Sequence, residues 1–512
     1  GSRLGDIVNS DPQYLHNQNF GYANLKWSSG TVGQAYKTFR SSNKYLKRSP
    51  LVVVGANDGM LHGFDATSDD KGGTTLGGRE LFAYVPASLF GKLPALSDPN
   101  YTHRYFVDGT PRVGDVWLGS RWASVVVGSG GAGGNSIFAL DVTDPENVGP
   151  SSVLWEFSHP RMGYNLGLPT LVALPNERFA VLVTSGYHDT EPDNDGKLWV
   201  LDAKNGHVIR EINLPTSANL GSPLASDTNR DLVADRAYVA DTAGNLWRID
   251  LADKDPAKWG IASSLAGGPL FVAKDKNGQR QSITAPLTSA FNQKNQHMVF
   301  FGTGSFYRTT DNEIPSEPAV ETFYGLIDDG EAIEGRSRLL QQTIFEEQTL
   351  AGGLNVRAIT DHELTTEPGW YMDLVLEGGS GKGERVLAEA TLRNQQVIIT
   401  TMTPSADPCA FGGTSWIMVI DRDSGSRLDT VFFDINGDAR FDQQDTLTVE
   451  GVHIGWSGIS NLDQGVSKGG KIVYDGDQMM FCYVDSNGNP HCLLVASVLN
   501  TARQSWREVR PL

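Results

Sequence analysis

Cysteine is nearly absent, with three residues in 512, too few for a disulfide framework and without the CxxC spacing of a zinc or redox site. Basic charge is also short: 42 Lys and Arg stand against 60 Asp and Glu, for a net charge of −18. A protein that tracks nucleic-acid phosphates needs the opposite balance. No window approaches 18 uninterrupted apolar residues, which leaves no candidate membrane-spanning helix, and long stretches of Ala, Leu, Glu and Lys at helical spacing are missing. Gly1-Ser2, without an initiator Met or a charged-then-apolar leader, is expected to be an artificial start on a fragment, with the N-terminal part and any signal peptide upstream.

What is plentiful is glycine, 57 residues or about 11% of the chain against roughly 7% on average, and with it turns and strands. The strands recur as a unit: an apolar strand, a Gly/Asp/Asn turn, a second strand and a closing Asp. The clearest copy is Leu-Val-Val-Val-Gly-Ala-Asn-Asp-Gly-Met-Leu-His-Gly-Phe-Asp-Ala at 51–66, where Asn57-Asp58-Gly59 suits a tight hairpin. Echoes run at 124–142, 180–206 and 237–251, with looser copies at 298–304 with 322–328, at 369–374 with 396–401, and at 415–421. A unit of this size cannot bury its own faces, so radial stacking of four-stranded sheets is the economical arrangement. The expected fold is all-β, a modified seven-bladed β-propeller of quinoprotein-like type with long inter-strand insertions, forming one domain over 1–512.

Two acidic loops carry the chemistry. In Asp-Thr-Asn-Arg-Asp-Leu-Val-Ala-Asp at 227–235, oxygen side chains alternate with other residues, so Asp227, Asn229, Asp231 and Asp235 can turn inward on one cation with the Val233 carbonyl. Oxygen donors without His or Cys select calcium over zinc or copper. Leu232 stands where an EF-hand loop has its turn glycine and Tyr238 where it has its bidentate Glu, so Asp235 has to ligate directly. A second loop at 434–445 offers Asp434, Asn436, Asp438, Asp442 and Asp445 with the Arg440 carbonyl, in a dockerin-like spacing where Ala439 replaces the glycine. The acidic loops 191–195 and 485–489 lack later ligands and are expected to be solvated turns.

Cys482 and Cys492 flank the turn 485–490 and either bridge across it or remain two unpaired buried thiols; Cys409 has no mate. His62, His103, His159, His188 and His207 stand in no catalytic motif and are expected to be surface or hydrogen-bonded residues. The tryptophans, Trp117, Trp122, Trp155, Trp199, Trp247, Trp370 and Trp416 among them, sit beside aliphatics and are expected to pack blades. The glycine run 128–134 lacks the following Lys-Ser/Thr of a phosphate cradle.

The form Gly-x-x-Asp-Gly-x-Leu-His-x-Phe-Asp-Ala at 55–66 resembles the repeats of quinoprotein-type propellers. Gly-Asp-Ile-Val-Asn-Ser-Asp-Pro at 5–12, the segment 80–90, Tyr-Phe-Val-Asp-Gly at 105–109, and Pro408-Cys409 followed by Gly412-Gly413 and Ser415-Trp416 resemble the C-terminal domain of PilY-type proteins. These are type IV pilus tip-associated biogenesis factors and adhesins of Gram-negative bacteria. The resemblance covers nearly the whole chain. It implies a non-enzymatic, calcium-binding regulatory and adhesive domain in which calcium at 227–235, the family's recognised site, favours pilus extension over retraction and thereby sets surface attachment and twitching motility. It also implies pilins or minor pilins and the host-cell surface as partners, and a location at the pilus tip or fimbrium, secreted, outer membrane-associated or periplasmic, with a part in virulence. Two rival readings stand beside it: a periplasmic dehydrogenase dependent on pyrroloquinoline quinone, and a scaffold propeller whose metal is purely structural.

Overall fold

The computed structural model describes residues 4–67, 77–189, 196–407, 412–460, 465–475, 478–486 and 488–496. Cys409, the loop 191–195 and Asn487 lie outside them. The chain divides into two compact units, residues 1–289 with 329–335 and residues 290–328 with 336–512, where the sequence reading drew no internal boundary.

The first unit contains four antiparallel sheets in chain order. They are built from Gln13–Leu15, Leu51–Gly55, Leu61–Asp65 and Glu80–Tyr84; Arg112–Trp117, Trp122–Ser129, Ser136–Asp141 and Val153–Ser158; Thr170–Leu174, Arg178–Thr184, Gly196–Asp202 and Val208–Leu214; and Leu224–Ser226, Arg236–Ala240, Asn245–Asp250 and Gly260–Ile261. Sequential neighbours pair, as short hairpin turns dictate. The middle strands are mostly buried, and two of them, Trp122–Ser129 and Gly196–Asp202, are buried at every residue. Both faces of such a strand are covered, which is why they read as unbroken Val, Ile and Leu runs rather than alternating ones. Apolar clusters collect residues from successive sheets, one joining Val127, Trp155, Phe179 and Trp199 and another Leu182, Val200, Val239 and Trp247.

The closing Asp of four copies has a local job. Asp65, Asp141, Asp202 and Asp421 each accept, through Oδ1, the backbone N–H two residues on, at 2.8 to 2.9 Å, and Asp241 makes the same bond in the hairpin turn of the fourth sheet. This Asx turn ends the strand and starts the return. On two of these turns a tryptophan docks. Trp155 Nε1 donates to the Ala203 carbonyl at 2.9 Å and Trp370 Nε1 to that of Arg422 at 3.2 Å. Gly206 and Gly425, at φ +69° and +71°, lie under the rings, where an added Cβ would come within 2.8 and 2.4 Å. The tryptophans are thus packing residues, Trp199 and Trp370 fully buried.

The second unit departs from the repeat. In a ten-stranded sheet, Thr288–Phe291 at the unit boundary is followed in spatial order by His297–Gly302, Thr322–Ile327, Gly369–Leu376, Leu340–Thr349, Asn355–Ile359, Gly458–Ser460, Ile417–Asp421, Gln396–Thr400 and Thr391–Arg393. Its joint is a parallel pairing of Leu340–Thr349 with Gly369–Leu376. The strands expected to make one blade together, 369–374 with 396–401, instead pair elsewhere, Gly369–Leu376 on Thr322–Ile327 and Gln396–Thr400 on Ile417–Asp421. Five sheets of four or more strands occur among the described residues, so the propeller has five blades and not the seven expected.

Three further elements refine the sequence reading. A helical insertion, Tyr22–Asn24, Val32–Ser41 and Asn43–Leu46, precedes the second strand of the first sheet; Val32 and Tyr36, one helical turn apart, are buried. The run 128–134 is mostly buried and closely packed. Cys482 and Cys492 are register partners on Gln478–Asp485 and Pro490–Val495 and are bonded, S–S 2.07 Å. No helix among the described residues is long and apolar enough to cross a membrane.

Candidate metal centre

The loop 227–235 joins Leu224–Ser226 to Arg236–Ala240 in the fourth sheet. Its oxygens form a ladder against its own backbone. Asp227 accepts the N–H of Asp231 through Oδ1 at 3.1 Å and that of Leu232 through Oδ2 at 2.7 Å. Asn229 Oδ1 shares the Asp231 N–H at 3.0 Å, and Asp231 Oδ1 accepts from Val233 at 2.9 Å. Asp235 is drawn back to the start of the loop by Thr228, whose N–H and hydroxyl donate to it at 3.1 and 2.7 Å. All four side chains therefore belong to one closed turn. Asn229 and Asp231 are exposed, and Val233 is buried.

The loop 434–445 repeats the ladder position by position. Asp434 accepts from Asp438 (3.2 Å) and Ala439 (2.8 Å), Asn436 from Asp438 (2.9 Å), and Asp438 from Arg440 (2.9 Å). Closure comes from Asp445, 1% exposed, which accepts the Ile435 N–H at 2.9 Å and the Asp442 N–H at 3.2 Å. Asp235 in the shorter loop and Asp445 in the longer one thus both tie the second loop residue to the last. The sixth position is left-handed in both, Leu232 at φ +71° and Ala439 at +62°. The missing glycine does not prevent the turn; a side chain there costs about 1–2 kcal/mol, offset by the N–H held by Asp227 or Asp434.

Among the described residues no three or more His, Cys, Asp or Glu side chains gather into a metal-holding group; the carboxylates here face backbone amides. The donor chemistry still fits a hard cation, since a carboxylate or amide oxygen accepting one N–H keeps a second lone pair. Of the other two acidic loops, 191–195 lies outside the described residues. Asp485 is a buried staple rather than a solvated residue: it accepts the Asn489 N–H at 2.9 Å and faces His491 Nε2 at 2.8 Å.

A model of the PilY1 β-propeller domain matches residues 4–356. The chain belongs to the PilY1 family. The type IV pilus biogenesis factor PilY1 of Pseudomonas aeruginosa is 32% identical over 99% of this chain and 45% of its own length. A PilY1 homolog of Xylella fastidiosa is 36% identical over 82% of this chain and 29% of its own. The chain therefore spans less than half of these curated relatives. The crystal structure of the P. aeruginosa PilY1 C-terminal domain superposes with a TM-score of 0.73 at 29% identity, covering 90% of this chain and 95% of that one. The family is thus one of type IV pilus biogenesis factors, named for assembly rather than for a reaction.

One polar cluster in this PilY1 family member escaped the motif search. His62, 4% exposed, sits between Glu80 (Nδ1 to Oε1, 2.7 Å) and Asp58 (Nε2 to Oδ2, 3.1 Å), and Asp58 in turn accepts the Gly5 N–H at 2.9 Å. Burial pulls the imidazole pKa down, but the bonds to Asp58 and Glu80 outweigh it and raise it above the ordinary value. A folded pKa above the unfolded one gives stability that is complete below about pH 6.5 and is lost as pH rises through the folded value. His62→Gln is expected to destabilise by about 1 kcal/mol at pH 6, with the gap to the parent closing by pH 8.5 in urea titrations; a gap that widens with pH contradicts this.

Proposed function

We propose that the chain is a calcium-binding regulatory and adhesive domain of a type IV pilus biogenesis factor, in which calcium occupancy shifts the balance between pilus extension and retraction and so controls attachment and twitching motility. The observation that carries this reading is the ladder common to 227–235 and 434–445, two unrelated stretches that present alternating oxygens on the same backbone scaffold. Asp227, Asn229, Asp231 and Asp235 with the Val233 carbonyl form the primary site. Asp434, Asn436, Asp438, Asp442 and Asp445 with the Arg440 carbonyl form a secondary one. Calcium, when bound, supplies the positive charge against which closely spaced carboxylates lose their mutual repulsion. The residues' own part is to hold those carboxylates on a strand connection, so that occupancy biases ordered against loosened loop.

The partners on this reading are pilins or minor pilins and the host-cell surface, and the location is the pilus tip or cell envelope. The disulfide between Cys482 and Cys492 supports an oxidising compartment, and the family membership supports pilus components. Isothermal titration tests the metal: saturable calcium binding is expected at about 10⁻⁴ to 10⁻³ M, as in extracellular modules, with magnesium at equal concentration displacing little. No heat of binding at millimolar calcium would overturn the reading.

A further inference from the structure

The loop 227–235 has a second edge. Its polar residues face solvent, while Leu232 and Val233 pack into the apolar cluster that contains Leu25, Trp27, Tyr36, Trp122 and Phe179. The Leu232 Cδ2 methyl lies 3.8 Å from the position a Cβ on Gly21 would occupy. The two edges are tied by the oxygens already described: Asp227 Oδ2 holds the Leu232 N–H at 2.7 Å, and Asp231 Oδ1 holds that of Val233 at 2.9 Å. The groups that would take a cation are therefore the groups that place the two apolar residues.

Gly21 stands directly before the helical insertion, whose leading residues Tyr22 and Ala23 pack against the same cluster. The far part of the insertion is fixed: the Tyr36 and Tyr45 hydroxyls both donate to buried Asp115, at 2.9 and 3.0 Å, and Trp122 Nε1 donates to the Val32 carbonyl at 3.0 Å. The stretch 20–30 is seated on the same aromatic cluster: Tyr22 stacks on Trp122 and meets Tyr36 and Phe179 edge-on, and Trp27 tilts against Phe179. Leu25 and Trp27 are its buried residues, Ser28 bonds Glu177 through its N–H and hydroxyl at 2.7 Å each, and Trp27 Nε1 is buried with no acceptor among the described residues. A buried donor left unpaired costs about 1–3 kcal/mol, which an arrangement giving that N–H a partner would regain.

We infer that residues 20–30 read the occupancy of the loop, through Asp227 to Leu232 to Gly21 and through Asp231 to Val233 to the cluster around Trp27. This rests on the metal reading above and adds the element that responds to it. When Asp227 and Asp231 ligate a cation with their remaining lone pairs, the Leu232 and Val233 amides are held in place and residues 20–30 close on those side chains. Coupling requires such an element with two arrangements that the site biases.

Hydrogen exchange of the full chain, in millimolar calcium and in chelator, tests this. In the parent, calcium is expected to slow exchange in both 227–235 and 20–30, by about fivefold or more in the latter. In Leu232→Gly, whose left-handed backbone suits glycine, calcium is expected still to protect 227–235 while 20–30 no longer responds. Urea titration of Leu232→Gly confirms that the variant is folded. A parent in which the loop is protected and 20–30 is indifferent overturns the coupling and leaves the metal reading standing. A Leu232→Gly variant that keeps the response at 20–30 overturns the coupling as well. A parent in which calcium protects neither segment overturns both.

Discussion

Asp227→Ala is expected to weaken calcium binding at the first loop by at least about 100-fold, because even an outer partner of a metal ligand is worth about 10- to 100-fold and Asp227 is both ligand and scaffold. Both of its oxygens hold amides of the turn, those of Asp231 and Leu232. Removing them frees the segment that carries Asp231 as well as subtracting one carboxylate. Asp434→Ala is the matching change in the second loop, where Asp434 holds Asp438 and Ala439. The two loops lie in different units of the chain, so in calorimetry each variant should lose its own phase and leave the other. Asp227→Ala binding calcium as the parent does would remove the primary site, whatever the second loop does.

Glu384→Ala is expected to destabilise the second unit by about 3–5 kcal/mol, the typical result of removing one partner from a buried ion pair. Arg357, 1% exposed, bonds both Glu384 oxygens at 2.9 Å, bonds Glu347 at 2.7 Å, and lies 3.9 Å over the Trp416 ring. Glu384, itself 3% exposed, also accepts the Thr401 hydroxyl at 2.7 Å. Truncation leaves a buried guanidinium with half its partners and removes the acceptor of the Thr401 hydroxyl, which keeps only the Trp416 N–H at 3.4 Å. In a unit of this size the melting point should fall by roughly 10 °C. A loss under about 1 kcal/mol, the scale of an exposed pair, would contradict the burial of this network. The same network weakens in acid. Burial raises the Glu347 carboxyl, but Arg357 and Lys382 outweigh that and hold it below its usual range, so its contribution is lost as pH falls through the folded value.

The first four blades were legible because their cause is local. Each copy carries its own hairpin turn, and an Asp makes an Asx staple within two residues, at the closing position in the first three (Asp65, Asp141, Asp202) and inside the hairpin in the fourth (Asp241), so strand ends are announced without reference to anything distant. The later blades were not legible because their pairing is non-local. Nothing near Gly369–Leu376 says that its neighbour is parallel Leu340–Thr349, and five sheets rather than seven follow from that joint. The helix Val32–Ser41 was hidden by brevity and by a stripe of few apolar residues. Oxygen spacing at 227–235 and 434–445 was readable, but Leu232 and Ala439 looked like obstacles to turning, and only the positive φ at both shows that the ladder forms without glycine. The apolar edge of the first loop was invisible for another reason: Leu232 and Gly21 are far apart in the chain, and no periodicity links them.

The central claim is a cation held by the oxygens of 227–235, and a crystal structure grown in millimolar calcium, with anomalous difference density collected, tests it most directly. The account predicts a peak within 2.3–2.6 Å of oxygens from Asp227, Asn229, Asp231, Asp235 and the Val233 carbonyl. A loop whose carboxylates still face only backbone amides, with no anomalous peak at that calcium concentration, would contradict it.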